Sequence, residues 1–191
     1  MSDTTTTTTR TIEGHLVPAA GTWAVDTSHS QVEFVARHLM VTKVRGRFTD
    51  YDVSLAIAQR PEDSTVAVTI QAGSITTGDD NRDGHLTGTD FLDVENHPII
   101  TFTSTAVTPR GDVWDVAGGL TIGGVTRTVV LEVTFGGVIA DPWGNSRALF
   151  AAETEIDRED FGLTWNQPPA GGGLLVGKRV KIELEVQALP A

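Results

Sequence analysis

The feature that most constrains this chain is the two-residue alternation that begins at Val32. One face carries Val32, Phe34, Ala36 and His38, while the other carries Glu33, Val35, Arg37 and Leu39. A helix would need apolar residues recurring every three or four positions, so the segment reads as a strand. Neither of its faces is purely polar, and a turn-forming run from Asp26 to Ser30 feeds into it. This is the pattern expected at the opening of a barrel that holds a ligand.

The same period recurs along the chain, which predicts strands at residues 22–26, 31–40, 44–58, 65–72, 99–108, 112–122, 125–138, 147–157 and 174–188. Pro61 breaks the chain between the third and fourth of these. Gly123-Gly124 joins two others in a tight hairpin whose turn needs positive φ angles. Between Ser74 and Pro98 the period is lost, and a short helical or lid-like insertion is expected there, capped by Thr77 or Asp79. Arg82, His85 and Leu86 would share a face of that helix, and Gly84 weakens it. About eight long antiparallel strands and one short helix define an all-β fold, a closed barrel, because closure removes exposed sheet edges.

At 191 residues the chain fits a single domain. Fourteen Lys and Arg against 25 Asp and Glu give a net charge of −11, which repels nucleic acid and anionic surfaces. Cysteine is absent, so disulfides and thiolate chemistry are excluded. No apolar run is long enough for stable membrane insertion. The start of the chain, with threonines from Thr4 to Thr9, lacks the apolar core of a secretory leader, and cytoplasmic residence is expected. Residues 1–20 are expected to form a disordered Thr-rich tail, removable without loss of stability, and residues 21–188 the barrel domain.

Chemistry-bearing clusters are sparse. There is no phosphate loop, nucleophile elbow or dinucleotide fingerprint, and the five histidines show no metal-ligand spacing, so catalytic residues, metal ligands and cofactors are all expected to be absent. Glu153, Glu155 and Asp157 share a face opposite Ala152, Thr154 and Ile156, which makes them the wet outside of a strand. Lys43, Arg45 and Arg47 stand out on an acidic chain, either as a solvated hairpin or as a seat for an anionic head group.

Asp26, His29-Ser30, Phe34, His38, Gly46 and Phe48 together resemble the opening signature of the YceI-like, polyisoprenoid-binding family. The resemblance continues through Thr77, Arg82-Asp83, His85-Leu86 and Asp90-Phe91, through Gly119-Leu-Thr-Ile-Gly-Gly-Val-Thr126, and through Arg158-Glu-Asp-Phe-Gly162. Lys178 stands where the family more often has Asp. The resemblance implies a lipocalin-like barrel that sequesters a long apolar molecule, such as a polyisoprenoid or isoprenoid quinone, for storage or transport. For Arg158 an architectural role is expected, through pairing with Asp160 or Asp26.

The expected ligand-binding positions lie on apolar strand faces: Phe34, Ala36 and His38; Val68 and Ile70; Phe102; Leu131, Val133 and Phe135; Phe150; Ile182 and Leu184. Leu86 and Phe91 are expected at the entrance. Two rival readings remain: an enzyme using His38 or His85 as general base on a hydrophobic substrate, and a side-chain-filled barrel serving as a protein-interaction module. The sequence leaves a homodimer open.

Overall fold

The computed structural model of the chain describes residues 8–168, 170 and 172–191. Its strands in chain order are β1 (Thr9–Ile12), β2 (His15–Pro18), β3 (Gly21–Val25), β4 (Gln31–His38), β5 (Thr42–Phe48), β6 (Tyr51–Ile57), β7 (Thr65–Gln71), β8 (Ile75–Thr76), β9 (Ile99–Arg110), β10 (Val113–Ile122), β11 (Val125–Ala140), β12 (Ser146–Asp157) and β13 (Val176–Pro190). Among the described residues one α-helix, α1 (Asp80–Thr87), and three short 3-10 turns interrupt them, and no described helix is long and apolar enough to cross a membrane.

All strand pairs are antiparallel, and eight strands close on themselves in the order β3-β6-β7-β9-β10-β11-β12-β13, with β3 pairing back to β13. The chain therefore forms the closed barrel that its periodicity demands. The long strand β13 is the seam: residues 188–190 pair with β3 and residues 176–185 with β4, so β3 and β4 act as two halves of one strand broken at Asp26–Ser30. In the same way the expected third strand is two strands, β5 and β6. The break falls at Thr49–Asp50, whose N–H groups turn away from the ladder to donate to Ser74 Oγ at 3.2 and 3.1 Å.

The Gly123-Gly124 hairpin has both residues at positive φ, 56° and 76°, with Ile122 paired to Val125 across it. A side chain at position 124 would meet both that backbone and the His97 ring, 3.0 Å from an added Cβ. Gly124→Val is therefore expected to lower the unfolding free energy by about 1–3 kcal/mol in a denaturant melt.

The tail expectation needs correction. Residues 1–7, with most of the Thr run, lie outside the described residues, but 9–18 form the β1-β2 hairpin. It docks on one end of the barrel: Val17 is 3% exposed, His15 packs edge-on against Trp114, and Arg10 donates to the carbonyls of Ala58 and Gln59. The segment is ordered because it has a surface to bury against, which composition alone does not reveal. Deleting residues 1–18 is now expected to lower stability by about 2 kcal/mol, roughly 4–8 °C in Tm, from the loss of the Val17 contact and the Arg10 bonds.

Candidate functional site

Residues at matching register positions build the inner wall. Trp114, Val133, Ala152, Leu184, Val32 and Phe48 form one row of cross-strand partners running over β10, β11, β12, β13, β4 and β5. All six face a cavity of about 340 Å³ whose surface is almost wholly apolar. That volume falls in the range of small-molecule sites, roughly 300–1,000 Å³. The cavity reaches from Val17, Pro18 and Trp114 at the hairpin end to Leu86, Phe91 and Leu163 at the other.

Phe34, Ala36, Val68, Ile70, Leu86, Phe91, Phe102, Leu131, Val133, Phe135, Phe150, Ile182 and Leu184 all line this cavity. His38 does not, although it shares a strand face with Phe34 and Ala36. The strand ends there, at the Leu39-Met40 turn, so the inward face runs past the rim before position 38 is reached. Periodicity also gave no reason to include Val17 and Pro18, which lie in the segment expected to be tail.

Two glycines shape the wall. Phe34 lies opposite Gly46 in register, and its ring occupies the place where a side chain at 46 would project. Phe102 lies over Gly118 in the same way, where an added Cβ would stand 2.5 Å from the ring and 2.5 Å from the Thr103 carbonyl. Each missing side chain lets an aromatic ring lie flat along the sheet. This is a physical reason for Gly two residues before Phe48 in the opening signature.

The two barrel ends differ. At the hairpin end Trp23, 3% exposed, packs with Ala148 and Ala188 and donates its Nε1–H to the Ala19 carbonyl at 3.0 Å. The far end carries α1, whose N-cap Asp79 accepts from the Arg82 N–H at 2.9 Å. There His85, Phe91 and Trp165 form an aromatic trio with centroids 4.6–5.3 Å apart. His85 Nε2 lies 2.9 Å from Asp90 Oδ2, which fixes the ring at this rim. Trp165 sits in a loop with no periodicity, so nothing in the sequence singled it out.

The Asp26–Ser30 break is held by polar side chains. The Asp26 carboxylate accepts from the backbone and hydroxyl of Ser28, contacts His29 Nδ1 at 2.9 Å and pairs with Arg147 at 2.7 Å. Ser30 Oγ donates to the Asp26 carbonyl and accepts from Gln187 N–H, while Tyr51 donates to the Ser30 carbonyl. Arg147 also pairs with Asp141 at 3.1 Å. The Ser28 and Arg147 bonds hold the Asp26 carboxyl well below its ordinary range. Bonds led by Asn145 bring Asp141 down to about 2.

A depressed native pKa means that both groups stabilise the fold above their ordinary pKa of 3.8 and cease to do so as pH falls towards their native values. Thermal stability is therefore expected to hold above about pH 4 and to decline towards pH 2, with a shallower decline in Asp26→Asn. Melts followed by circular dichroism across this range check it.

Arg158 departs from its expected pairing. Its guanidinium, 3% exposed, donates to the carbonyls of Gly177 (3.0 Å), Val176 (3.3 Å) and Leu163. Asp26 is taken by Arg147 instead. Residues 176–180 are where the β13–β4 register shifts, so carbonyls freed from the ladder find their donor in Arg158. Burial pushes the Arg158 pKa down. Lys178 pairs with Glu159 at 2.7 Å.

On the outer wall Glu153 and Glu183 meet Lys181, and Glu155 lies 3.9 Å from Arg179. Among the described residues no group of three or more His, Asp or Glu is placed to hold a metal ion. The arrangement offers a tube lined almost wholly by hydrocarbon, with Thr154 and Tyr51 as sparse polar side chains on its wall.

A model of the YceI-like domain matches residues 23–188. A UPF0312 protein of Pectobacterium atrosepticum is 42% identical over 143 residues, covering 74% of each chain. Among solved structures, BcnA of Burkholderia cenocepacia superposes with a TM-score of 0.74 at 24% identity, covering 85% of this chain and 98% of that one. A polyisoprenoid binding domain from Saccharophagus degradans superposes with a TM-score of 0.63 at 15% identity, covering 91% and 100%. The β1-β2 hairpin lies before the matched span, which runs from Trp23 in β3 to Ala188 in β13: the chain belongs to the YceI-like family.

Proposed function

We propose that this protein binds a long apolar molecule, a polyisoprenoid or the tail of an isoprenoid quinone, and stores or transports it without transforming it. The observation that carries this reading is the apolar cavity running the length of the barrel. The family resemblance names the ligand class, and the polyisoprenoid binding domain of Saccharophagus degradans shares the fold. A hydrocarbon tube gains about 0.8 kcal/mol for each CH₂-sized group taken from water, roughly 4 kcal/mol gross per five-carbon unit. Part of that gain is lost to immobilising the chain.

The few polar side chains on the cavity wall give no support to catalysis: Tyr51 donates to the Ser30 carbonyl and Arg158 to the carbonyls of Gly177 and Val176, Thr154 stands among apolar neighbours, His38 is outside the wall, and His85 is tied to Asp90. The filled-barrel reading does not fit a hollow core. Native mass spectrometry of gently purified protein, followed by lipid extraction, tests the proposal. A bound prenyl lipid is the expected result; protein emptied of lipid that also fails to take up added prenyl alcohols contradicts it.

A further inference from the structure

We propose that the β4-β5 hairpin tip docks the barrel on lipid bilayers and that ligand passes through the end of the barrel beside it. This rests in part on the carrier reading above, because a hydrocarbon ligand needs a membrane as its source or destination.

Leu39, Met40 and Val41 form the tip and are 46%, 60% and 78% exposed. Three consecutive apolar side chains in water at a loop tip serve no packing role in the barrel. The backbone beneath them is strained. Leu39 and Met40 both have positive φ, 49° and 63°, in a turn closed by the bond from Val41 N–H to the His38 carbonyl. Turns of this kind favour Asn and Gly, so Leu and Met are held here at a cost to folding.

Charge supplies the second, independent observation. Arg37 and Lys43 are cross-strand partners just below the tip, followed by Arg45 and Arg47 on the same outward face. Arg45 pairs with Glu183 at 2.9 Å, whereas Arg37, Lys43 and Arg47 form no ion pair among the described residues. Most other cations of this acidic chain are paired, as Arg110, Arg147, Lys178 and Lys181 are. An apolar tip above unpaired cations matches the layered chemistry of a bilayer, hydrocarbon beneath anionic head groups. The net charge of −11 does not forbid this, since charges farther away than about 8 Å are largely screened at physiological salt.

Position completes the argument. The tip lies at the α1 end, opposite the Trp23 plug and the β1-β2 hairpin. Leu39 N–H bonds to the Leu175 carbonyl, and the neighbouring Ala36 and Val176 line the cavity. A protein seated by this tip presents the Leu86-Phe91 rim towards the membrane.

The test is co-sedimentation with phosphatidylcholine vesicles with and without a minority of phosphatidylglycerol. Wild-type protein is expected to bind, more strongly with phosphatidylglycerol and less strongly in high salt. Leu39→Asn combined with Met40→Gly places the residues this turn favours, so the protein should melt at or above the wild-type temperature yet bind vesicles at least tenfold more weakly. Arg37→Gln and Lys43→Gln should each weaken binding to phosphatidylglycerol vesicles by roughly fivefold. Trp143→Ala, at an exposed tip on the opposite end, should leave vesicle binding unchanged.

Wild-type protein that ignores both vesicle types overturns the inference and leaves the tip to a protein partner; so does unimpaired binding by the Asn-Gly variant. Prenyl alcohol binding in vesicle-free solution separates the two proposals. The Asn-Gly variant should retain it, and its absence from wild-type protein that still binds vesicles would count against the carrier reading and not against docking.

Discussion

Replacing Arg158 with Met is expected to lower the unfolding free energy by about 3–5 kcal/mol, the largest effect of any single substitution considered on stability. Met is long and apolar enough to occupy much of the same space, so the loss comes from hydrogen bonding and not from a void. Without the guanidinium, the Gly177 and Leu163 carbonyls lose a buried donor, while Val176 retains the Asn166 amide at 2.9 Å. Orphaned buried carbonyls cost about 1–3 kcal/mol each, and the β13 irregularity would have to remodel to reach water or new donors. Arg158→Lys should recover only part of the loss, because one ammonium cannot span three divergent carbonyls. Urea unfolding with an unchanged m-value checks this, and a wild-type midpoint for Arg158→Met would show that the bonds are dispensable.

The second large effect is on binding. Leu131→Asp places a carboxylate on the inner wall, on a strand position paired with Val116, which also lines the cavity. A charge there is desolvated beside the ligand or drags water into the tube, and prenyl binding is expected to fall by more than a hundredfold. Because this variant also strains folding, Ala152→Phe is the companion: it fills the lumen from the row of Val133 and Leu184 while adding apolar contacts. It should keep or raise the melting temperature and weaken prenyl binding at least tenfold. Glu155→Gln changes only the outer wall, 3.9 Å from Arg179, and should bind as wild type.

Much of the barrel is legible along the chain because its information is local. Val32, Phe34 and Ala36 alternate with polar or outward residues, and so do Ala152, Thr154 and Ile156, which puts Glu153 and Glu155 outside before any pairing is known. Gly123-Gly124 likewise specifies its turn by its own φ requirements. What escapes is non-local. Nothing near Arg10 announces that its guanidinium will meet Ala58 and Gln59, so the first hairpin reads as tail. The third strand breaks at Thr49–Asp50 because Ser74, 24–25 positions away, captures their N–H groups. His38 obeys the alternation and still misses the cavity, since periodicity says which face a residue shares but not where the barrel rim falls. Arg158 was readable as architectural, but its partners are backbone carbonyls, which carry no sequence signature.

The central claim is that the tube holds a prenyl chain by hydrocarbon burial, and a chain-length series tests it most directly. Prenyl alcohols of increasing length, titrated into lipid-free protein by calorimetry, should bind with affinity that climbs over the first units and then levels off as the cavity fills, with weak dependence on salt. A negative heat-capacity change should accompany binding. Affinity that is independent of chain length, or no binding to folded protein at any length, would contradict the account.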